Sequence, residues 1–150
     1  MELKIKALSP KLGNEIPFPT YATAGSAGMD LRACIDESVT VPAGERRMIP
    51  TGLAIALPGP EWVALLHARS GLAIKHGLAP ANCVGVIDSD YRGEVVVGLL
   101  NSSKESYTIE PGERIAQLVI MPVAQANITV TDTLDDTERG AGGFGSTGRQ

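Results

Sequence analysis

Turn-forming residues recur so often along this chain that the apolar stretches between them are short. Pro42-Ala43-Gly44, Pro58-Gly59-Pro60 and Pro111-Gly112 are the plainest breaks, and 17 glycines and 10 prolines spread the same pattern over all 150 residues. Many short strands separated by turns predict an all-β fold. Leu3–Leu8 alternates apolar and polar residues, and Met48–Leu57, Trp62–Leu66, Arg114–Met121 and Asn127–Val130 are further strand candidates. The length suits one domain, and a 43% hydrophobic composition is enough for a sizeable core. Only the end changes in character: from Arg139 onward five of twelve residues are glycine. The chain therefore reads as a domain over residues 1–138 with a mobile glycine-rich tail over 139–150.

Charge and cysteine content exclude several classes of function. A net charge of −4 argues against binding a nucleic-acid backbone, which needs clustered positive charge, but allows a small anion held by a few arginines. Cys34 and Cys83 make no disulfide framework, and reduced core thiols are the expected state, although the two are able to pair in principle. The opening Met1-Glu2-Leu3-Lys4-Ile5-Lys6 is too charged for a signal peptide, and no apolar run has the length of a membrane span. A cytoplasmic protein with no membrane association is expected. His67 and His76 have no third histidine or ligand cluster beside them that would suggest a metal site.

Chemistry concentrates in Gly85-Val86-Ile87-Asp88-Ser89-Asp90-Tyr91-Arg92-Gly93-Glu94. Val84–Ile87 and Val95–Leu100 read as the two strands of a hairpin, with Asp88-Ser89-Asp90 and Gly93 supplying the turn. The aspartates would serve a plain surface turn equally well. Against that, a connection of this length leaves backbone N–H and C=O groups without ladder partners. It also places Tyr91, in a chain with one Trp, three Tyr and two Phe, beside a carboxylate. A ring, a fixed carboxylate and open backbone groups suit a flat heterocycle that carries a hydrolysable group.

Four other stretches have two readings each. Ala68–Gly77 is predicted as a two-turn helix, with Ser70 as N-cap and Gly77 as the stop. It is either an ordinary capped helix or, with Arg69 and Gly71 at its N-terminus, a phosphate cradle. Asp30, after the Gly25–Gly28 turn, either caps that turn or fixes an arginine or a hydrated cation. Gln117 interrupts the apolar Arg114–Met121 stretch and needs hydrogen-bond partners, from backbone or ligand. In the tail, Arg139, Phe144 and Ser146 suit a lid that closes over a ligand.

Five segments thus occur in one order: Ala27–Ala33, Arg69–Ala73, Gly85–Gly93, Gly112–Leu118 and Arg139–Gly148. This set resembles the five motifs of the trimeric dUTP diphosphatases (dUTPases), over nearly the whole chain. The resemblance implies a distorted jelly roll of β-clip type and a homotrimer with shared active sites. It implies hydrolysis of dUTP to dUMP and pyrophosphate with Mg²⁺, limiting uracil incorporation into DNA and supplying dUMP for thymidylate synthesis. By the same resemblance Asp88 is the general base and Tyr91 the platform under deoxyribose. Arg69, Ser70, Gly71, Gln117, Arg139 and Ser146 are phosphate contacts, Phe144 with Gly145 covers uracil, and Asn82, Val86, Ile87 and Val96 help bind the base. No direct protein ligand to the metal is expected; Mg²⁺ would be held by phosphates and water, with Asp30 assisting indirectly.

The chemistry agrees with these roles. Uracil presents N3–H as donor and O4 as acceptor, and cytosine reverses both, so each mismatched buried group costs about 1–3 kcal/mol. A carboxylate orients a water and accepts its proton. A dCTP deaminase would want a glutamate near the base, where this chain has Asp88. A nucleotide sensor without catalysis would not need Asp88 together with Arg69 and Arg139.

Overall fold

A computed structural model describes residues 1–143. Eleven strands and one short helix are found there: β1 (Lys4–Ala7), β2 (Gly28–Arg32), β3 (Val39–Val41), β4 (Arg46–Pro50), β5 (Leu53–Ala56), β6 (Trp62–His67), α1 (Ser70–His76), β7 (Leu78–Pro80), β8 (Gly85–Ile87), β9 (Val96–Asn101), β10 (Tyr107–Ile109) and β11 (Arg114–Pro122). They form a four-stranded sheet in the order β2-β11-β6-β8, a three-stranded sheet β4-β9-β7, and the pairs β1-β5 and β3-β10. Every pairing between these strands is antiparallel. The expected all-β class is present. Among the described residues no helix is long and apolar enough to cross a membrane.

Alternation along the strands puts one face of each sheet into a common core. Met29 and Leu31 of β2, Val97 and Leu99 of β9, and Ile115 and Leu118 of β11 are all at most 6% exposed and pack in one cluster. A register shift between Arg114 and Ala116 lets the neighbours Ile115 and Ala116 both turn inward. Polar groups in the core are paired. Asn101, fully buried, donates to Val41 O and Glu105 O and accepts from the backbone and hydroxyl of Ser103.

Several local expectations are corrected. Val84–Ile87 and Val95–Leu100 do not form a hairpin ladder, because β8 pairs with β6 while β9 pairs with β4 and β7. The residues between them cross from one sheet to the other, and an eight-residue connection is long enough to do so. Met48–Leu57 is two strands, since Gly52 adopts φ 72° and turns the chain out of β4 into β5. Asn127–Val130 is not a strand: no segment of the described chain lies alongside it, and Ile128 and Val130 are 90% and 92% exposed. Cys83 is exposed, so it is not a core thiol, and both cysteines are free.

Candidate active site

Register in the four-stranded sheet builds the first half of the site. Gln117 on β11 stands opposite Asp30 on β2 and His67 on β6, and directly opposed residues share a face. Asp30 is therefore inside a strand, not a turn cap, and of its expected roles it takes that of fixing arginine. Arg69 Nε donates to its Oδ1 at 2.8 Å and Arg114 donates to its Oδ2 at 3.1 Å, while Arg69 also reaches Arg114 O at 3.2 Å. Gln117 donates to Ala68 O at 2.9 Å, which holds the chain just before Arg69.

The segment that follows is α1, whose N-cap is Arg69, not Ser70. Ser70 is already helical, and the N-cap makes no side-chain hydrogen bond. The helix stops where expected: Gly77 takes φ 66° and returns its N–H to Ala73 O. At this end the His76 ring packs on Tyr107, with centroids 4.9 Å apart at 54°, and Tyr107 donates its hydroxyl to Glu113 at 2.5 Å. Burial, then the Glu113 hydrogen bond and charge, push the Tyr107 phenol up to about 12, with the Arg69 charge acting in the opposite direction. Glu113 precedes β11 and accepts Glu110 N–H as well. Both ends of the helix are thus tied to the adjacent residues Glu113 and Arg114.

The second half lies at the open edge of the same sheet. Among the described residues β8 pairs with β6 alone, so its other edge carries no ladder there. Beside it opens a cleft of about 440 Å³ lined by Met48, Leu66, Asn82, Gly85, Val86, Ile87, Asp88, Tyr91, Glu94, Val95 and Val96. Tyr91 is held there by donating to Glu94 O at 3.1 Å. A Cβ at Gly93 would overlap its hydroxyl, so the ring folds back over that glycine. Asp88 and Val86 also line a second cleft with Trp62, Val63, Asp90 and Val123, so the carboxylate stands on the ridge between two depressions.

Asn82, Val86, Ile87, Asp88, Tyr91 and Val96 are therefore brought together, while Arg69, Ser70, Gly71 and Gln117 do not line this cleft. The reason is the register of β6. Ala64 pairs with Ile87, which puts Asp88 level with Val63, whereas Arg69 follows the other end of the strand. Six residues of extended chain separate the two levels, about 20 Å. Arg139 is exposed and folds locally, donating to Gly142 O at 3.0 Å. Phe144, Gly145 and Ser146 lie outside the described residues. Met48, Glu94 and Arg114 were not identified from the sequence. Glu94 accepts Gly52 N–H at 2.8 Å and so ties the cleft to the turn between β4 and β5, a long-range contact without a local signal.

Comparison with known proteins bears on these features. A family model described as dUTPase matches residues 14–148. The deoxyuridine 5'-triphosphate nucleotidohydrolase of Hahella chejuensis (strain KCTC 2396) is 58% identical over 97% of this chain and 96% of its own, and that of Enterobacter sp. (strain 638) is 52% identical over 99% and 98%. The dUTPase of Staphylococcus bacteriophage 80alpha, solved with dUPNHPP, superposes with a TM-score of 0.84 at 30% identity, covering 98% of each chain. With the five segments in order, the strand scaffold that carries them and relatives at this identity over nearly its whole length, the chain belongs to the dUTPase family.

Proposed function

We propose that the protein is a dUTP diphosphatase that converts dUTP to dUMP and pyrophosphate, with each active site assembled from more than one copy of the chain in a homotrimer. The observation that carries the reading is the shared cleft of Asp88 and Tyr91 on the unpaired edge of β8. Uracil pairs with that edge as an added strand would, with Asn82 and the backbone of Val86, Ile87 and Val96 around it. Deoxyribose stacks on Tyr91, which leaves no room for a 2′-hydroxyl. Asp88 orients a water and takes its proton as the oxygen attacks the α-phosphorus; the bond to the bridging oxygen breaks and pyrophosphate leaves. The family relatives named for dUTP hydrolysis and the phage enzyme solved with a dUTP analogue support this substrate.

The separation along β6 supports a site shared between copies, which the proposed trimer would supply. Asp88 and Arg69 of one chain are too far apart to act on one α-phosphate, so the Arg69, Ser70, Gly71 and Gln117 that hold the phosphates come from another copy. The exposed apolar residues Ile128, Val130 and Leu134 fit the same assembly, as an arm without a partner among the described residues of its own chain. Arg139 and Ser146 contribute to the phosphates, and Phe144 with Gly145 closes over the base. The expected Mg²⁺ does not fit a site built from protein side chains. Among the described residues no three His, Cys, Asp or Glu form a cation cluster, and both Asp30 oxygens are engaged by arginines. Magnesium is therefore assigned to the substrate, as the counterion of the triphosphate. An activity of this kind belongs in the cytoplasm, where it limits dUTP and supplies dUMP.

One assay tests the reading: pyrophosphate release from dUTP, dCTP, dTTP and UTP, with light scattering on the same sample. Release from dUTP alone by a trimer is expected. Ammonia release from dCTP, or full activity in a strict monomer, would overturn it.

A further inference from the structure

We propose that Met48, seated over Gly98, is a substrate-contacting wall of the cleft that sets how closely the nucleoside fits. The inference rests on the nucleoside reading of that cleft and adds a residue to it. Met48 belongs to β4 and lines the cleft together with Tyr91, Asn82 and Val96, although it is far from them in sequence. Met48 is 69% exposed, an unusual position for a long apolar residue on a strand. Register accounts for where it lies. Met48 stands opposite Gly98 on β9, and directly opposed residues share a face; Val96, two residues before Gly98, is on that face as well.

Gly98 leaves the space into which the thioether settles. A Cβ built there would lie 3.1 Å from Met48 Sδ and 3.8 Å from Cε, so a larger residue would shift the thioether off this seat. A flexible, polarisable thioether beside an aromatic platform adapts to a flat ligand and loses its exposure when the ligand binds. Met48 and Gly98 thereby act as one unit, the methionine as the wall and the glycine as its seat.

A double-mutant cycle tests this, with KM for dUTP and calorimetric binding of dUMP as readouts. Met48→Ala is expected to raise KM about tenfold, because about one buried side chain's worth of apolar contact is lost. Gly98→Ala is expected to raise it about threefold by displacing the sulfur, and the double variant to match Met48→Ala instead of reaching the product of about thirtyfold. Met48→Leu restores most of the affinity. Independent, multiplying effects, or a KM for Met48→Ala equal to that of the parent, would overturn the proposal while leaving the function intact. A parent protein that releases no pyrophosphate from dUTP would count against the function itself.

Discussion

Arg69 is oriented by Asp30, its Nε lying 2.8 Å from Oδ1, and the second oxygen of the same carboxylate engages Arg114 at 3.1 Å. Both partners of the first pair retain about a quarter of their side-chain exposure, so the pair contributes more through orientation than through stability. Asp30→Asn keeps the shape and removes the charge. A rise in KM for dUTP of about tenfold is expected, corresponding to about 1–2 kcal/mol for a half-screened pair, with dUMP affinity less affected. Steady-state kinetics beside dUMP calorimetry check this, and an unchanged KM for dUTP would remove Asp30 from the phosphate site.

Asp88 stands between two clefts and carries the proposed proton transfer. Asp88→Asn cannot accept that proton as a carboxylate does, so turnover should fall by about 10²–10⁴-fold while dUMP still binds. Turnover close to that of the parent in a pyrophosphate assay would rule out the base.

The core is closed well before residue 139, since the last strand among the described residues, β11, ends at Pro122. Deleting residues 139–150 should therefore leave the melting temperature nearly unchanged and lower turnover sharply, because the proposed triphosphate and base contacts Arg139, Phe144 and Ser146 are removed. Normal turnover in the truncated protein would exclude a lid made by these residues.

Tyr107 gives the fold an alkaline limit. Its folded value is raised from 10.0 to about 12, so the folded state holds the phenolic proton more tightly than the unfolded chain. That contribution is complete below about pH 10 and disappears as pH rises through about 12. Urea denaturation at steps across this window should show falling stability, and Tyr107→Phe should flatten the fall. A variant that follows the parent curve would place the alkaline loss elsewhere.

Gly52 is required by its geometry. With φ at 72°, a Cβ there would lie 2.6 Å from Cys34 Sγ and 3.0 Å from Leu12 Cδ1. Backbone strain and overlap together should make Gly52→Ala destabilising by roughly 2–4 kcal/mol. The check is a lower denaturant midpoint at unchanged slope.

Much of this was legible in the sequence because it is local. Turn residues and short apolar runs predicted the β class, Gly77 marked the helix end, and the stretch from Gly85 to Gly93 carried Asp88 and Tyr91 on contiguous residues whose proximity needs no tertiary information. Periodicity marked the alternation of Leu3–Leu8. It does not show which strands pair, because backbone hydrogen bonds are the same for every partner and the choice is made by long-range packing of the core. Tertiary structure alone therefore sent β8 to β6 and β9 to β4, set Asp30 against Arg69 and Arg114, placed Met48 over Gly98, and put Asp88 and Arg69 at opposite ends of one strand. The chain determined its chemistry residue by residue; the distances between those residues came only from the pairing of strands remote in sequence.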